Sequence, residues 1–401
     1  MKILMVNKFL YPRGGSESYM LSLGKHFEKL GHEVQYFGMY DEKNTVGNRL
    51  GLYTSNMDFH TSKASRLLYP FKIIYSRESY AKIGKVLDDF KPDIVHMNNI
   101  NFQLTPSIIY AVKKRGIPLV QTVHDYQMIC PNHLLYNFAK NEPCEKCLNG
   151  SHINCLKNRC IHASLAKSII GVIEAKLYSL LGTYKKVDLY ICPGKFLENK
   201  LLSSKSFYKG KTYTIHNFID KETFSKKDCE KQDYIVFVGR LSEEKGVKYL
   251  KELAEKLPEY RFLVAGNGPC EDTISGIDNI EPLGFLTGDK LTRVMGNAKL
   301  LILPSVCYEN CPLSILEARS MAVPAITMNK GGMAELVQDG VTGTLLDGTS
   351  GDAEKIAKTM QDEEYYNSLV ENCIKQRDDI LDIDSYCEIL MEKYIGIINR
   401  R

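Results

Sequence analysis

Short apolar runs alternate with amphipathic segments along most of this chain. Lys2–Val6 reads as a buried strand, and after a loop over 7–15 the residues Tyr19, Met20, Leu23, Phe27 and Leu30 recur at helical spacing. Ser16 is placed to cap that helix and Gly31 to end it. Glu33–Phe37 is the next strand, so the chain opens as β–α–β. Strands are expected at 93–97, 118–123 and Leu189–Cys192, with a helix over 107–114. The alternation then restarts, with strand 234–238, helix 247–257, strand Arg261–Ala265, an apolar run at 300–303, helix 314–321 and a short helix 333–337 opened by Gly331 and Gly332. Such alternation predicts parallel sheets covered by helices, an α/β fold.

A chain of 401 residues exceeds what one core organises, so two domains of about 200 residues are expected. The polar stretch 198–211 and the charged stretch 221–232 mark the joint, giving domains 1–205 and 206–384 followed by a final helix, 385–401. Asp382 and Asp384 imitate a metal-binding D-x-D, but ahead of that helix they read as helix-start acids.

Charge changes the picture. The net +4 divides into +10 before residue 193, from 25 Lys and Arg against 15 Asp and Glu, and −6 after it, from 27 against 33. A basic first half suits an anionic membrane surface or a phosphate-bearing acceptor. Nucleic acid is disfavoured, because no basic run exceeds Lys113, Lys114 and Arg115 and no zinc-finger or RNP pattern occurs. No apolar run approaches the ~18 residues of a membrane span, and residues 1–6 are too short for a signal peptide, so a cytoplasmic location is expected.

Two stretches of the first half stand out. Over 163–186 the residues Leu165, Ile169, Ile170, Ile173, Leu177, Leu180 and Leu181 are apolar among Lys167, Lys176, Lys185 and Lys186. That pattern fits a helix lying on a membrane, but more often belongs to a core-facing helix with snorkelling lysines. Five of the twelve cysteines fall between 130 and 160. Cys144 and Cys147 are separated by two residues and Cys155 and Cys160 by four, with His133, His152 and His162 nearby. Four thiolates so spaced suit a structural zinc site; the alternative is unliganded thiols on a buried loop.

The candidate chemistry lies in the loops after strands, where parallel sheets bind ligands. Gly14 and Gly15 with Ser16 and Glu17 let a phosphate approach bare backbone at a helix N-terminus. The G-x-G-x-x-G of a dinucleotide binder is absent, which counts against a dehydrogenase. The strand at 118–123 delivers His124 and Asp125, a pair placed for chemistry, although a His bonded to a nearby carbonyl reads the same way. Arg240 and Lys245 after Gly239 suit a diphosphate, and Gly266 and Gly268 follow the next strand. In 304–336 Glu309 falls in a loop and Glu317 in a helix, both able to accept from sugar or ribose hydroxyls, though two surface glutamates would look alike in isolation.

Taken in order, Gly239, Arg240, Lys245, then Gly266–Asn–Gly268–Pro, Glu309, Glu317 and the GGMAEL at 331–336 resemble the retaining family 4 glycosyltransferases of GT-B fold. GGSE at 14–17 and HDYQMICP at 124–131 extend the likeness over nearly the whole chain. The resemblance implies two Rossmann-like domains facing across a cleft, with the last helix returning to the first domain. It further implies that Gly14 and Gly15 meet the diphosphate and that Arg240 and Lys245 neutralise it. Glu317 would hold the ribose, and Glu309 with Asn310, Cys311, Pro312 and Leu313 the sugar side, while His124 would reach the sugar near its reacting face. Partners so implied are a UDP- or GDP-type sugar and a glycan or lipid-linked acceptor in cell-surface polysaccharide or glycolipid synthesis, met at the inner membrane face.

Catalysis needs no metal if Arg240, Lys245 and helix N-termini stabilise the leaving diphosphate. Retention by double displacement needs a carboxylate beneath the anomeric carbon, and none is evident, so same-face substitution is the expectation. A GT-B sugar-nucleotide epimerase would share these features, whereas a non-catalytic partner subunit would be expected to lose Lys245 or a glutamate.

Overall fold

Fourteen strands are seen in the computed structural model, which describes residues 1–56, 74–148, 151–224 and 230–400. In chain order they are β1 Lys2–Val6, β2 Glu33–Phe37, β3 Ile94–Met97, β4 Leu119–Thr122, β5 Tyr136–Asn137, β6 Glu142–Pro143, β7 Leu189–Cys192 and β8 Thr212–Thr214. There follow β9 Gln232–Val238, β10 Arg261–Ala265, β11 Ile280–Gly284, β12 Ala298–Leu303, β13 Ala325–Met328 and β14 Gly343–Leu346. The chain divides into unit 1, residues 1–135, 144–216 and 383–401, and unit 2, residues 136–143 and 217–382.

Unit 1 is built on a sheet of order β2-β1-β3-β4-β7-β8, every neighbouring pair parallel. Ile3 to Val6 are completely buried, as strands covered on both faces must be, and this is why they read as an unbroken apolar run. In register, Val6 lies beside Phe37 on one side and Met97 on the other. The chain therefore leaves β1 and β3 at one edge, through Asn7 and Asn98. The last helix, Ile383–Ile398, belongs to this unit and buries Tyr386 and Tyr394.

Unit 2 has the order β11-β10-β9-β12-β13-β14, again all parallel. Its core joins Ile235, Val236, Phe262, Val264, Leu301 and Ile326 with the faces of covering helices. Together these sheets make the α/β architecture of two Rossmann-like domains. The antiparallel hairpin β5-β6 is grouped with unit 2, although the chain around it belongs to unit 1.

Several expected bounds shift. The first helix spans Gly15–Lys29 with Gly14 as its N-cap, and Ser16 does not cap it. Its hydroxyl donates instead to the Glu17 carboxylate at 3.0 Å, because that buried acid is the stronger acceptor nearby. The domain bound expected at 205 falls at 216, since β8 pairs with β7 in unit 1. Residues 149–150 of the cysteine-rich stretch and 225–229 of the charged joint lie outside the described residues.

Candidate functional site

In unit 2 the strand order reverses between β9 and β12, and a crevice beyond their carboxyl ends is where open parallel sheets hold ligands. β9 runs into Gly239 and Arg240 and then the 3-10 turn Glu243–Lys245; β12 runs into Pro304, Ser305 and the loop carrying Glu309. Here Lys245 Nζ donates to Glu309 Oε1 at 2.5 Å, and Ser305 Oγ donates to the same oxygen at 2.9 Å. Burial opposes the charge on Lys245, but the Glu309 carboxylate and the acids around it outweigh burial and hold the ammonium above its ordinary value. Lys245 is therefore a cation already paired, while Arg240 is exposed and has no ion-pair partner among the described residues.

Backbone contacts explain the glycines. A side chain at Gly266, where φ is +151, would lie 1.8 Å from the carbonyl oxygen of Gly239, and one at Gly268 would lie 2.2 Å from that of Leu241. These positions bring the loops after β9 and β10 into contact. Gly246 does the same for Pro304, its φ of +75 and a 1.9 Å approach excluding any side chain. Gly332 donates from its main chain to the Glu309 carbonyl at 2.7 Å, and a side chain there would meet the Asn310 carbonyl oxygen at 1.6 Å.

The helix Leu313–Ser320 starts at Pro312, which supplies no side-chain cap to the amides of its first turn. Cys311 is buried, its carbonyl accepting from Asn217 Nδ2 at 3.0 Å. Burial pushes the Cys311 thiol up to about 12, which suits packing rather than reaction. Glu317 sits in the second turn, half-buried, and burial raises its carboxyl from 4.5 to about 7. The sequence expectation of Gly239, Arg240, Lys245, Gly266, Gly268, Glu309, Asn310, Cys311, Pro312, Leu313 and Glu317 thus falls on the loops and first helical turns of one sheet edge.

Unit 1 carries its own polar set, with Gly14, Gly15 and His124 at the carboxyl ends of β1 and β4. Glu17 is held under the first turn by Asn7 Nδ2 at 3.3 Å and Ser16 Oγ at 3.0 Å, while Asn7 Oδ1 accepts from the Asn99 amide at 2.9 Å. His124 Nε2 lies 2.9 Å from Asn98 Oδ1, an acceptor, so this nitrogen carries the proton. Burial lowers its pKa to about 4, leaving the ring neutral at physiological pH. Asp125 accepts from the Gln127 amide and Asn101 Nδ2, each at 2.9 Å.

Behind His124 runs a chain of contacts that sequence reading passes over. The Tyr19 ring meets the His124 ring edge-on at 5.2 Å between centroids. Its hydroxyl is 2.8 Å from that of Tyr386 and 3.1 Å from Thr122 Oγ1. His96 Nε2 lies 2.7 Å from the same Thr122 oxygen and His96 Nδ1 is 2.5 Å from the Tyr394 hydroxyl. Burial, then nearby His124, lowers His96 to about 3, so this histidine is a neutral link. Ser305 lies in a Pro–Ser pair of the same run of motifs, to which the sequence assigns no role, and Gly246, directly after Lys245, is signalled only as a turn of positive φ.

Cys147, Cys155 and Cys160 pack with Val172 in a small apolar cluster, and Cys144 is half-buried. Among the described residues no group of three or more His, Cys, Asp or Glu side chains is arranged to hold a metal ion. Burial pushes the Cys147 thiol up to about 11.

Residues 13–223 match the family model for Glycosyltransferase Family 4, and residues 218–376 match that for Glycosyl transferases group 1. A Klebsiella pneumoniae protein described as an uncharacterized 42.6 kDa protein in the cps region is 25% identical over 353 residues, 84% of this chain and 87% of that protein. The fold is similar to that of Anabaena Alr3699/HepE in complex with UDP-glucose, with a TM-score of 0.69 at 16% identity over 99% of this chain and 100% of that one. Sucrose-phosphate synthase from Thermosynechococcus elongatus superposes with a TM-score of 0.71 at 14% identity, covering both chains fully.

Proposed function

Since this chain belongs to glycosyltransferase family 4, we propose that it moves a sugar from a UDP- or GDP-type nucleotide sugar to a hydroxyl of a glycan or lipid-linked acceptor, with retention and without a catalytic metal. The observation carrying this reading is the Lys245–Glu309–Ser305 cluster at the strand-order reversal of unit 2, with Arg240 exposed beside it in the chain. The diphosphate of an entering donor competes with Glu309 for Lys245. Once it takes the ammonium, the Glu309 carboxylate is released to accept from sugar hydroxyls. Binding thus exchanges one ion pair for another and arms both residues.

As the bond between the anomeric carbon and the diphosphate oxygen lengthens, negative charge grows on the leaving group, where Arg240, Lys245 and the amides at Leu313 and Ser314 stabilise it. The acceptor hydroxyl attacks from the face the diphosphate leaves, and its proton passes to the departing phosphate oxygen. Glu317 accepts from the ribose hydroxyls when ionised. By the family resemblance His124 would meet the sugar near its reacting face as a neutral ring whose Nε2 proton is already given to Asn98. A role in cell-surface polysaccharide or glycolipid synthesis at an anionic membrane face is supported by the +10 charge before residue 193 and by the Klebsiella relative encoded in a cps region.

A thermal-shift screen of UDP-, GDP- and ADP-sugars tests the reading, because a ligand of the folded state raises Tm. A rise with UDP- or GDP-sugars is expected. Silence towards all three series would overturn it, and epimerisation without transfer to an added acceptor would favour a sugar-nucleotide epimerase.

A further inference from the structure

Unit 1 contains a cavity of about 150 Å³, bounded by helix Leu165–Leu180, the end of helix Lys195–Ser204 and the chain around Gln127 and His152. Four aromatic rings, Tyr178, Tyr184, Phe207 and Tyr208, form much of its wall. The Tyr178 hydroxyl is bonded to the Ile74 carbonyl, which keeps that polar end satisfied while the ring stays available to an apolar guest. Lys185, Lys205 and His152 also line the cavity, and among the described residues no Asp or Glu does. His152 Nδ1 is buried without a hydrogen-bond partner among the described residues. Lys185 Nζ stands 6.0 Å over the Phe207 ring, so cation and apolar wall meet at one place.

The helix forming one side of this cavity turns another face outward. Leu165, Ile169 and Ile173, one turn apart, are 49%, 42% and 49% exposed, and Leu180 and Leu181 continue the stripe at 85% and 54%. The opposite face, with Ser168, Gly171, Val172, Glu174 and Tyr178, is buried. Lys167, Lys176, Lys185 and Lys186 are exposed around the stripe. Large apolar side chains ringed by lysines match an interface that is apolar inside and anionic at its surface, which is an anionic lipid layer.

We propose that the cavity is a lipid site, holding the segment of alkyl or isoprenoid chain next to the phosphate of an anionic lipid. Lys185, Lys205 and His152 take the phosphate and the four rings take the chain. A space of this size holds a benzene-sized guest in other proteins, so about six carbons fit. The exposed stripe beside it is where such a lipid enters. All lining residues belong to unit 1 and none to the donor set, so the proposal stands or falls apart from the nucleotide-sugar reading.

The test uses the full chain and octyl phosphate below its micellar concentration, with 1-octanol and inorganic phosphate as the tail and the head alone. Octyl phosphate is expected to raise Tm by several degrees and to bind at least tenfold tighter than either control. Ala175→Leu, which fills the cavity, abolishes the shift, and the Lys185→Gln/Lys205→Gln pair weakens binding about tenfold. Ser179→Leu replaces Ala175→Leu should the latter fail to fold. Nucleotide binding stays unchanged in all of them. Vesicles containing phosphatidylglycerol retain the wild type more than Ala175→Leu, and pure phosphatidylcholine vesicles retain neither. Equal binding of octyl phosphate and inorganic phosphate would make this a site for a free anion and overturn the lipid assignment, as would undiminished octyl phosphate binding by both cavity-filling variants.

Discussion

The two sheets place their chemistry in opposite ways. In unit 2, Gly239 to Lys245 and Ser305 to Glu317 are short continuous stretches, and the ion pair they make needs only that β9 and β12 be neighbours. In unit 1, His124 rests on Tyr19 and Asn98, and through them on Thr122, His96, Tyr386 and Tyr394, with bonded partners as far as 367 positions apart in the chain. One site is made by local loops on a sheet edge; the other is held by a buried relay ending on the last helix. Substitutions at the first should therefore change binding and rate with little effect on folding, whereas those at the second should disturb folding and the histidine together.

The largest effects test the loop site. Lys245→Ala and Arg240→Ala are each expected to lower turnover on the order of 10² to 10³, as loss of one charge-stabilising donor does elsewhere, with Tm nearly unchanged for Arg240→Ala. Steady-state release of nucleoside diphosphate measures this, and near-normal turnover in both would break the contrast. Tyr394→Phe tests the relay. It leaves His96 Nδ1 buried without its partner, costing about 1–3 kcal/mol of stability by denaturant titration. It is also expected to lower kcat severalfold with KM for the nucleotide sugar unchanged, and equal stability to the wild type would show the relay to be idle.

Glu317 couples the two kinds of effect through pH. Its carboxyl is raised from 4.5 to about 7 in the folded chain, so between those values the folded state keeps a proton the unfolded state has lost. Stability from this group accordingly falls as pH rises from about 4.5 to about 7, by at most about 3 kcal/mol. Glu317→Gln should remove that slope and raise Tm of the ligand-free protein at pH 8. Nucleotide affinity runs the other way, strengthening severalfold from pH 6 to 8 as the carboxylate forms, and this gain should vanish in Glu317→Gln. A pH profile unchanged by the substitution would remove Glu317 from the ribose.

The same contrast explains what the sequence discloses. Strands such as Lys2–Val6 and Arg261–Ala265 are legible because burial on both faces leaves only apolar residues after the first position, and the unit 2 loops because glycine, cation and carboxylate follow in order. The relay is not legible: Tyr19, Tyr386 and Tyr394 sit at helical spacing among apolar residues, and nothing local separates a core tyrosine from one bonded to His96 or Thr122. Cysteine spacing likewise does not disclose that Cys147, Cys155 and Cys160 gather around Val172. Helix Leu165–Leu180 was ambiguous for a related reason, since periodicity fixes a stripe but not what covers it.

The account rests on unit 2 as the nucleotide site, and calorimetric titration tests that most directly. UDP and GDP are titrated at pH 8 into the wild type and a Lys245→Ala/Glu317→Ala variant, with Tm recorded for both. One of the nucleotides should bind the wild type at one site per chain and bind the folded variant at least about tenfold more weakly, as loss of two charge-assisted contacts requires. Equal affinity in a folded variant would contradict the assignment.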